Sequence, residues 1–92
     1  MKIINLKALN DFKQKYTDAC SQIDSWCAEV NDAKWSKPVE VKQRYGTVDF
    51  LSDNRMVFNI KGNKYRLLVK ANYKNQIILV IKVGTHNEYM KW

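Results

Sequence analysis

The chain has 92 residues, of which 46% are hydrophobic and 27% charged, with one proline and three glycines. This length predicts a single domain over residues 1–92, and the composition excludes a disordered or low-complexity chain. The longest apolar run, residues 76–81, is far shorter than the roughly 20 residues that cross a bilayer, so no membrane segment is predicted. No export signal is visible, and we therefore expect the cytoplasm.

The net charge of +7 lies almost entirely in the second half of the chain. Residues 53–92 carry eight Lys and Arg against two acidic residues, and residues 1–52 are nearly balanced. Such asymmetry is typical of proteins that meet a polyanion. A basic surface that merely keeps the protein in solution is the alternative that charge alone leaves open.

The cysteines predict neither a disulfide nor a metal site. Cys20 and Cys27 are seven positions apart in a helical pattern, which separates their Cα atoms by roughly 10 Å. A disulfide needs less than about 7 Å between Cα atoms. With His86 as the single histidine, the spacing matches no zinc motif, so we expect free thiols and no metal.

The first third of the chain predicts helices. Residues 2–5 fit either an edge strand or the lead-in to a helix, and Asn5 is a suitable N-cap. Apolar residues then recur every three to four positions through residues 6–16, and the pattern restarts at residues 17–30. The interpretation is two amphipathic helices, or one helix broken near Tyr16.

From residue 38 onward a short helix gives way to strands. Pro38 at its first turn and Gly46 beyond its end delimit the helix. Strands follow at residues 48–51, 56–60, 65–71 and 76–83. The last strand is apolar on both faces and should lie inside the sheet.

Two turns complete the predicted fold. A hairpin turn is expected at residues 61–64, with positive φ at Gly62 and Asn63. A final helical turn starts at Thr85, with Glu88 completing a capping box. The predicted class is α+β, with N-terminal helices packed on a three- or four-stranded antiparallel sheet and a short C-terminal helix.

Alternation along residues 65–70 separates the two faces of the sheet. The more apolar set should face the helices, and it consists of Tyr65, Leu67 and Val69. The opposite face should carry Arg66 and Lys70, joined by Lys82 and Asn59 from neighbouring strands. Guanidinium, ammonium and amide groups on one face are suited to phosphate. A merely solvated outer face is the alternative.

His86 and Tyr89 are candidate acid/base groups. They lie three positions apart, on one side of the final helical turn. A structural role for a lone histidine stays open. The second half has only Asp53 and Glu88 as carboxylates, too few for a magnesium-dependent nuclease. A nuclease built on this face would therefore work without metal on RNA, whose 2′-hydroxyl is an internal nucleophile.

Two segments, VFNIKGNKYRL at residues 57–67 and VGTHNEY at residues 83–89, resemble the HigB toxins, which are RelE-like proteins of type II toxin–antitoxin systems. Residues 7–12 and 35–38 also look like that group, so the resemblance spans essentially the whole chain. It implies a RelE-like fold of two N-terminal helices on a twisted antiparallel sheet. It also implies a cytoplasmic mRNA interferase that needs no cofactor, acts on translated mRNA at the ribosome and is inhibited by a HigA-type helix-turn-helix antitoxin.

The resemblance also implies roles for individual residues. The catalytic candidates are Arg66 and Lys64, which would hold the scissile phosphate, and His86 and Tyr89, which would transfer protons. The RNA-binding candidates within the two matching segments are Asn59, Lys61 and Asn63. Lys70 and Lys82 lie outside those segments and are interpreted as RNA-binding residues that supply steering charge. A non-catalytic RNA- or ribosome-binding module with the same basic face is the alternative, and a protein that only meets an acidic antitoxin is a third interpretation.

Overall fold

A computed structural model describes all residues, 1–92. It confirms the α+β class and the order of helices before most of the sheet. No helix combines the length and the apolar character that crossing a membrane requires. The elements in chain order are β1 (Lys2–Ile4), α1 (Leu6–Lys15), a 3₁₀ turn (Thr17–Ala19), α2 (Cys20–Asp32), α3 (Pro38–Arg44), β2 (Asp49–Phe50), β3 (Arg55–Ile60), β4 (Tyr65–Asn72), β5 (Ile77–Thr85) and α4 (His86–Tyr89).

The sheet has five strands in the order β1-β5-β4-β3-β2. Strands β2 to β5 form the predicted antiparallel meander, and β1 adds a parallel edge strand beside β5. The sheet therefore has at least one strand more than the predicted three or four. Strand β1 has only three residues, which is too short for an alternating pattern to distinguish a strand from the segment that leads into a helix. Its partner, β5, is also far away along the chain. Strand β5 lies inside the sheet, as predicted.

Asn5 occupies the N-cap position of α1 without capping it. Its φ of 74° is left-handed, and its side chain forms no cap hydrogen bond. The side-chain amide instead donates to the Val80 carbonyl at 3.0 Å. The predicted capping role was wrong, because the chain reverses sharply from β1 into α1 and asparagine tolerates that left-handed conformation.

The core lies between the helices and one face of the sheet. The helices contribute Leu9, Phe12, Ile23, Trp26 and Val30, all nearly inaccessible to solvent. The predicted parity of β4 is confirmed, since Tyr65, Leu67 and Val69 belong to this core cluster. The face opposite the helices, called here the outer face, is consequently free to present the alternate residues of β3, β4 and β5.

A β-bulge in β5 changes which side chains reach the outer face. Val69 is opposite Val80, and Leu68 is opposite Lys82, so Ile81 is an extra residue without a partner on β4. In an unbroken strand Lys82 would share the buried side with Val80, because side chains alternate with period two. The bulge places Lys82 on the outer face instead.

The turn between β3 and β4 also differs from its prediction. Positive φ occurs at Lys61, at 57°, and at Gly62, at 66°, and not at Asn63. The Lys61 N–H donates to the side chain of Gln22 on α2, which anchors the start of the turn to the helical layer. The left-handed pair therefore begins one residue earlier than the sequence predicted.

Candidate active site

Cross-strand register brings the cations of the outer face together. One row contains Asn59, Arg66 and Gly84, and the next contains Val57, Leu68 and Lys82. A third row, at the far end of the strands, contains Arg55, Lys70 and Leu79. The outer face thus combines an apolar floor with four basic side chains.

None of these four cations is paired with an acid. The chain forms four ion pairs, and all lie elsewhere: Lys7–Asp11, Lys13–Asp24, Arg44–Glu29 and Lys64–Asp18. The positive charge of the outer face is therefore uncompensated. No three His, Cys, Asp or Glu side chains converge as a possible metal site.

Arg66 is the most constrained of the four. It is only 9% exposed, and its Nη1 is buried without a hydrogen-bond partner. Its guanidinium lies 5.4 Å from the centre of the Tyr89 ring. Burial of an unpaired charge is unfavourable, so a side chain in this state is prepared for an anion. The planar fork of arginine matches two oxygens of one phosphate or carboxylate.

His86 also adjoins Tyr89. The two ring centres are 6.4 Å apart, and the planes are tilted by 35°. Tyr89 therefore has both a guanidinium and an imidazole as neighbours, and Arg66, Tyr89 and His86 are together called here the row. His86 is exposed and Tyr89 is partly exposed. This arrangement can bind an anion beside an imidazole and a phenol, two kinds of side chain that are able to transfer protons.

A capping box positions this row, as the sequence predicted. The Thr85 hydroxyl accepts from the Glu88 N–H at 3.2 Å, and the Glu88 carboxylate accepts from the Thr85 N–H at 2.9 Å. These hydrogen bonds hold the pKa of Glu88 below its ordinary value. They fix the start of α4, which carries both His86 and Tyr89.

Replacing Thr85 with alanine is expected to lower the free energy of unfolding by about 1 kcal/mol, the usual effect of losing an N-cap side chain. The four-residue α4 has little intrinsic stability and depends on this cap. Urea unfolding measures the change. Thr85→Ser keeps the hydroxyl and should match the wild type, and equal losses in both variants would contradict a capping role.

Lys64 does not extend the row formed by Arg66, Tyr89 and His86. Its ammonium pairs with Asp18 at 2.6 Å, and the Tyr65 hydroxyl donates to the other Asp18 oxygen at 2.6 Å. Its backbone contacts the row, since the His86 N–H donates to the Lys64 carbonyl at 3.0 Å. The predicted phosphate contact of Lys64 would compete with Asp18 for the charge of its ammonium.

Replacing Asp18 with asparagine is expected to lower the melting temperature at neutral pH but not in acid. Hydrogen bonds from Lys64 and Tyr65 hold the folded pKa of Asp18 below its ordinary 3.8. The resulting stability is fully present above that value and is lost as the pH falls through the folded pKa.

Thermal unfolding of both proteins from neutral pH to about pH 2 measures this difference. Asp11→Asn is the matched control, since its exposed pair with Lys7 should contribute little at any pH. If the difference in melting temperature between Asp18→Asn and the wild type persisted unchanged in acid, it would contradict a stabilising role of the ionised Asp18 carboxylate.

Two predicted RNA-binding residues adjoin the row. Asn59 lies opposite Arg66, donates to the Thr47 carbonyl at 3.2 Å and has a buried side-chain oxygen without a partner. Lys82 lies opposite Leu68, two residues along β4 from Arg66, and its ammonium is 5.8 Å from the centre of the Trp92 ring. Both are therefore placed to contact a ligand that Arg66 binds.

The other three predicted RNA-binding residues lie apart from the row. Lys61 and Asn63 are exposed at the tip of the β3–β4 turn. Lys70 is exposed on β4, four residues from Arg66, or roughly 13 Å along the strand. Their contacts would be with more distant parts of a long ligand.

The structure adds residues that the sequence did not select. Arg55 begins β3 opposite Lys70, and its guanidinium donates to the Ser52 carbonyl at 3.0 Å. The strand predicted from the sequence begins one residue later, at residue 56, and so leaves Arg55 out. Trp92 adjoins Tyr89 and Lys82, but no periodic pattern leads to it. Only the hairpin register would have revealed Arg55.

Comparison with known proteins agrees with the sequence resemblance. Residues 19–92 match the model of a family described as HigB toxin, the RelE-like toxic component of a toxin–antitoxin system. Similar curated proteins are the mRNA interferase toxin HigB of Escherichia coli (strain K12) and the mRNA interferases HigB of Escherichia coli O157:H7 and Shigella flexneri. Each is 28% identical over 91 residues, which cover 97% of this chain and 88% of the relative. The chain therefore belongs to the HigB family of RelE-like toxins, the toxic components of toxin–antitoxin systems.

Proposed function

We propose that this toxin is an endoribonuclease that cuts mRNA and thereby stops protein synthesis and growth. The observation that carries the proposal is the buried, unpaired guanidinium of Arg66 beside the ring of Tyr89, which itself adjoins the ring of His86. An mRNA phosphate is a suitable partner for that guanidinium. The names of the similar proteins, all mRNA interferases, support this substrate.

The proposed reaction is attack of a 2′-hydroxyl on the adjacent phosphate, which breaks the bond to the 5′-oxygen of the next nucleotide. The products are a 2′,3′-cyclic phosphate and a free 5′-hydroxyl. Arg66 holds two phosphate oxygens and stabilises the charge that grows on them in the transition state. His86 and Tyr89 exchange the protons: one takes the 2′-hydroxyl proton and the other protonates the leaving 5′-oxygen.

We propose that no metal takes part in this reaction. The nucleophile belongs to the substrate, and Arg66 supplies positive charge at the phosphate. Lys82 and Asn59 adjoin the same phosphate or its neighbours, whereas Lys61, Asn63 and Lys70 guide more distant phosphates. Lys64 serves chiefly through its backbone contact with His86, because Asp18 neutralises its ammonium.

The proposed partners follow from the same surface. Membership of a toxin–antitoxin family implies an antitoxin, which we propose is of the HigA type and covers the unpaired cations of the outer face with acidic side chains. We further propose that cleavage takes place in the cytoplasm, on mRNA at the ribosome. The two free thiols, Cys20 and Cys27, suit that reducing compartment.

Mapping of transcript ends after induction of the toxin tests the function. New ends with 5′-hydroxyl groups are expected within coding regions. At high concentration the purified protein should also cut free RNA without ribosomes, and it should do so equally well in an excess of a chelator such as EDTA. Intact transcripts during growth arrest would favour the non-catalytic RNA- or ribosome-binding module, and cleavage abolished by the chelator would contradict metal independence alone.

A further inference from the structure

A groove beside Tyr89 has more apolar surface than phosphate binding requires. Its volume is about 420 Å³, within the range of small-molecule sites. Two cations, Arg55 and Lys82, line it as well. The other residues that line the groove are apolar or aromatic, and they include Leu51, Val57, Leu68, Tyr89, Met90 and Trp92. The ligand that fits this groove is flat and apolar in its body and carries negative charge at its edges.

Trp92 is the accessible indole in this groove. It is 38% exposed, whereas Trp26 and Trp35 are 2% and 7% exposed. Gly84 leaves room for its ring, since a Cβ there would lie 3.1 Å from the indole. The ammonium of Lys82 lies 5.8 Å from the ring centre. A π-surface that already attracts a cation can also accept a stacked ring.

Tyr89 joins this groove to the proposed phosphate site. Its ring centre is 5.5 Å from that of Trp92, at an angle of 73°, and 5.4 Å from the guanidinium of Arg66. A ligand that fills the groove and a phosphate bound by Arg66 would therefore touch the same phenol. One nucleotide, or two neighbouring ones, spans such a distance.

We propose that the groove binds a nucleobase of the RNA substrate, stacked on Trp92, next to the phosphate that Arg66 holds. This inference rests on the proposed function. Unpaired bases of single-stranded RNA stack on aromatic side chains, and their flanking phosphates need cations, which Arg55 and Lys82 provide. Stacking is tolerant of base identity, so Trp92 is a positioning residue rather than a reader of sequence.

Fluorescence titration with a 2′-O-methyl oligoribonucleotide tests the proposal, because this probe lacks the nucleophile and stays uncut. Stacking should quench the exposed indole of Trp92. Trp92→Phe should lose the quenching while keeping most of the affinity measured by anisotropy. Trp92→Ala should bind about 5- to 150-fold more weakly, the usual effect of removing one stacking side chain.

Inorganic polyphosphate is the matched control ligand, since it carries the charge of RNA without bases. It should bind without quenching. Equal quenching by polyphosphate, or wild-type affinity in Trp92→Ala, would overturn the stacked base. Failure of the two proposals is distinguishable. Quenching by the oligonucleotide, without cleavage of unmodified mRNA either free or on translating ribosomes, overturns the nuclease and supports the groove. Cleavage without quenching supports the nuclease and overturns the groove.

Discussion

Arg66→Met is expected to lower RNA cleavage by about 10²- to 10³-fold while the free energy of unfolding stays the same or rises. The loss of activity follows because the guanidinium stabilises charge that grows in the transition state. The free energy of unfolding should stay the same or rise because Arg66 is only 9% exposed and its Nη1 has no hydrogen-bond partner. Methionine fills a similar volume without burying an unpaired charge. Initial rates on an RNA oligonucleotide and thermal unfolding measure the two quantities.

Two further variants sharpen this prediction. Arg66→Lys keeps the charge but loses the fork that matches two phosphate oxygens, so it should recover only part of the activity. Lys70→Ala is the matched control on the same face and strand. This substitution should weaken RNA binding in a salt-dependent way without changing the rate at which bound RNA is cleaved. Wild-type activity in Arg66→Met would disprove its role, and a large loss of stability would show that Arg66 serves the fold.

Opposite responses of activity and stability are the signature of a side chain kept for its ligand. Most core substitutions lower both, because activity needs the folded state. The outer face has three more unpaired cations, Arg55, Lys70 and Lys82, and its apolar floor includes the buried Val57 and Leu68. The centre of the outer face is therefore as buried as a protein core, and the side chains around this centre are positively charged.

The sequence predicts the position of Arg66 because strand alternation is a local rule. Tyr65 and Leu67 had to face the helices, so Arg66 between them had to face away. The same rule gives no reason for Lys82 to join Arg66, since the alternation that buries Val80 would also bury Lys82. The bulge at Ile81 provides that reason, and it depends on pairing with β4. Bulges of this kind have no reliable local pattern.

Other features depend on contacts between distant parts of the chain. Lys64 and Asp18 are 46 positions apart, and their ion pair follows only from the packing of the 3₁₀ turn against β4. Periodicity and spacing describe neighbours within one element, so they cannot reveal such a pair. The capping box at Thr85 and Glu88, by contrast, spans three residues and was predicted correctly. The sequence therefore places His86 and Tyr89 on one helical turn at the end of the basic face, and the 5.4 Å approach of Arg66 to the Tyr89 ring follows only from the pairing of β4 with β5.

His86→Ala is expected to lower cleavage by about 10²- to 10⁴-fold, the usual contribution of a general acid or base. The melting temperature should hardly change, because His86 is exposed and lies outside the core cluster. Growth arrest on induction should disappear together with cleavage. Asn87→Ala is the matched control, since Asn87 is an exposed neighbour in the same helical turn and should stay active.

Added imidazole separates a proton-transfer role from a structural one. If the ring of His86 moves a proton, free imidazole can enter the space left by His86→Ala and restore part of the rate, because the site is open to solvent. A ring that only positions Tyr89, whose centre lies 6.4 Å away, would not be replaced by a freely diffusing base. Full toxicity in a folded His86→Ala variant would leave Tyr89 and Arg66 as the groups that act on the phosphate.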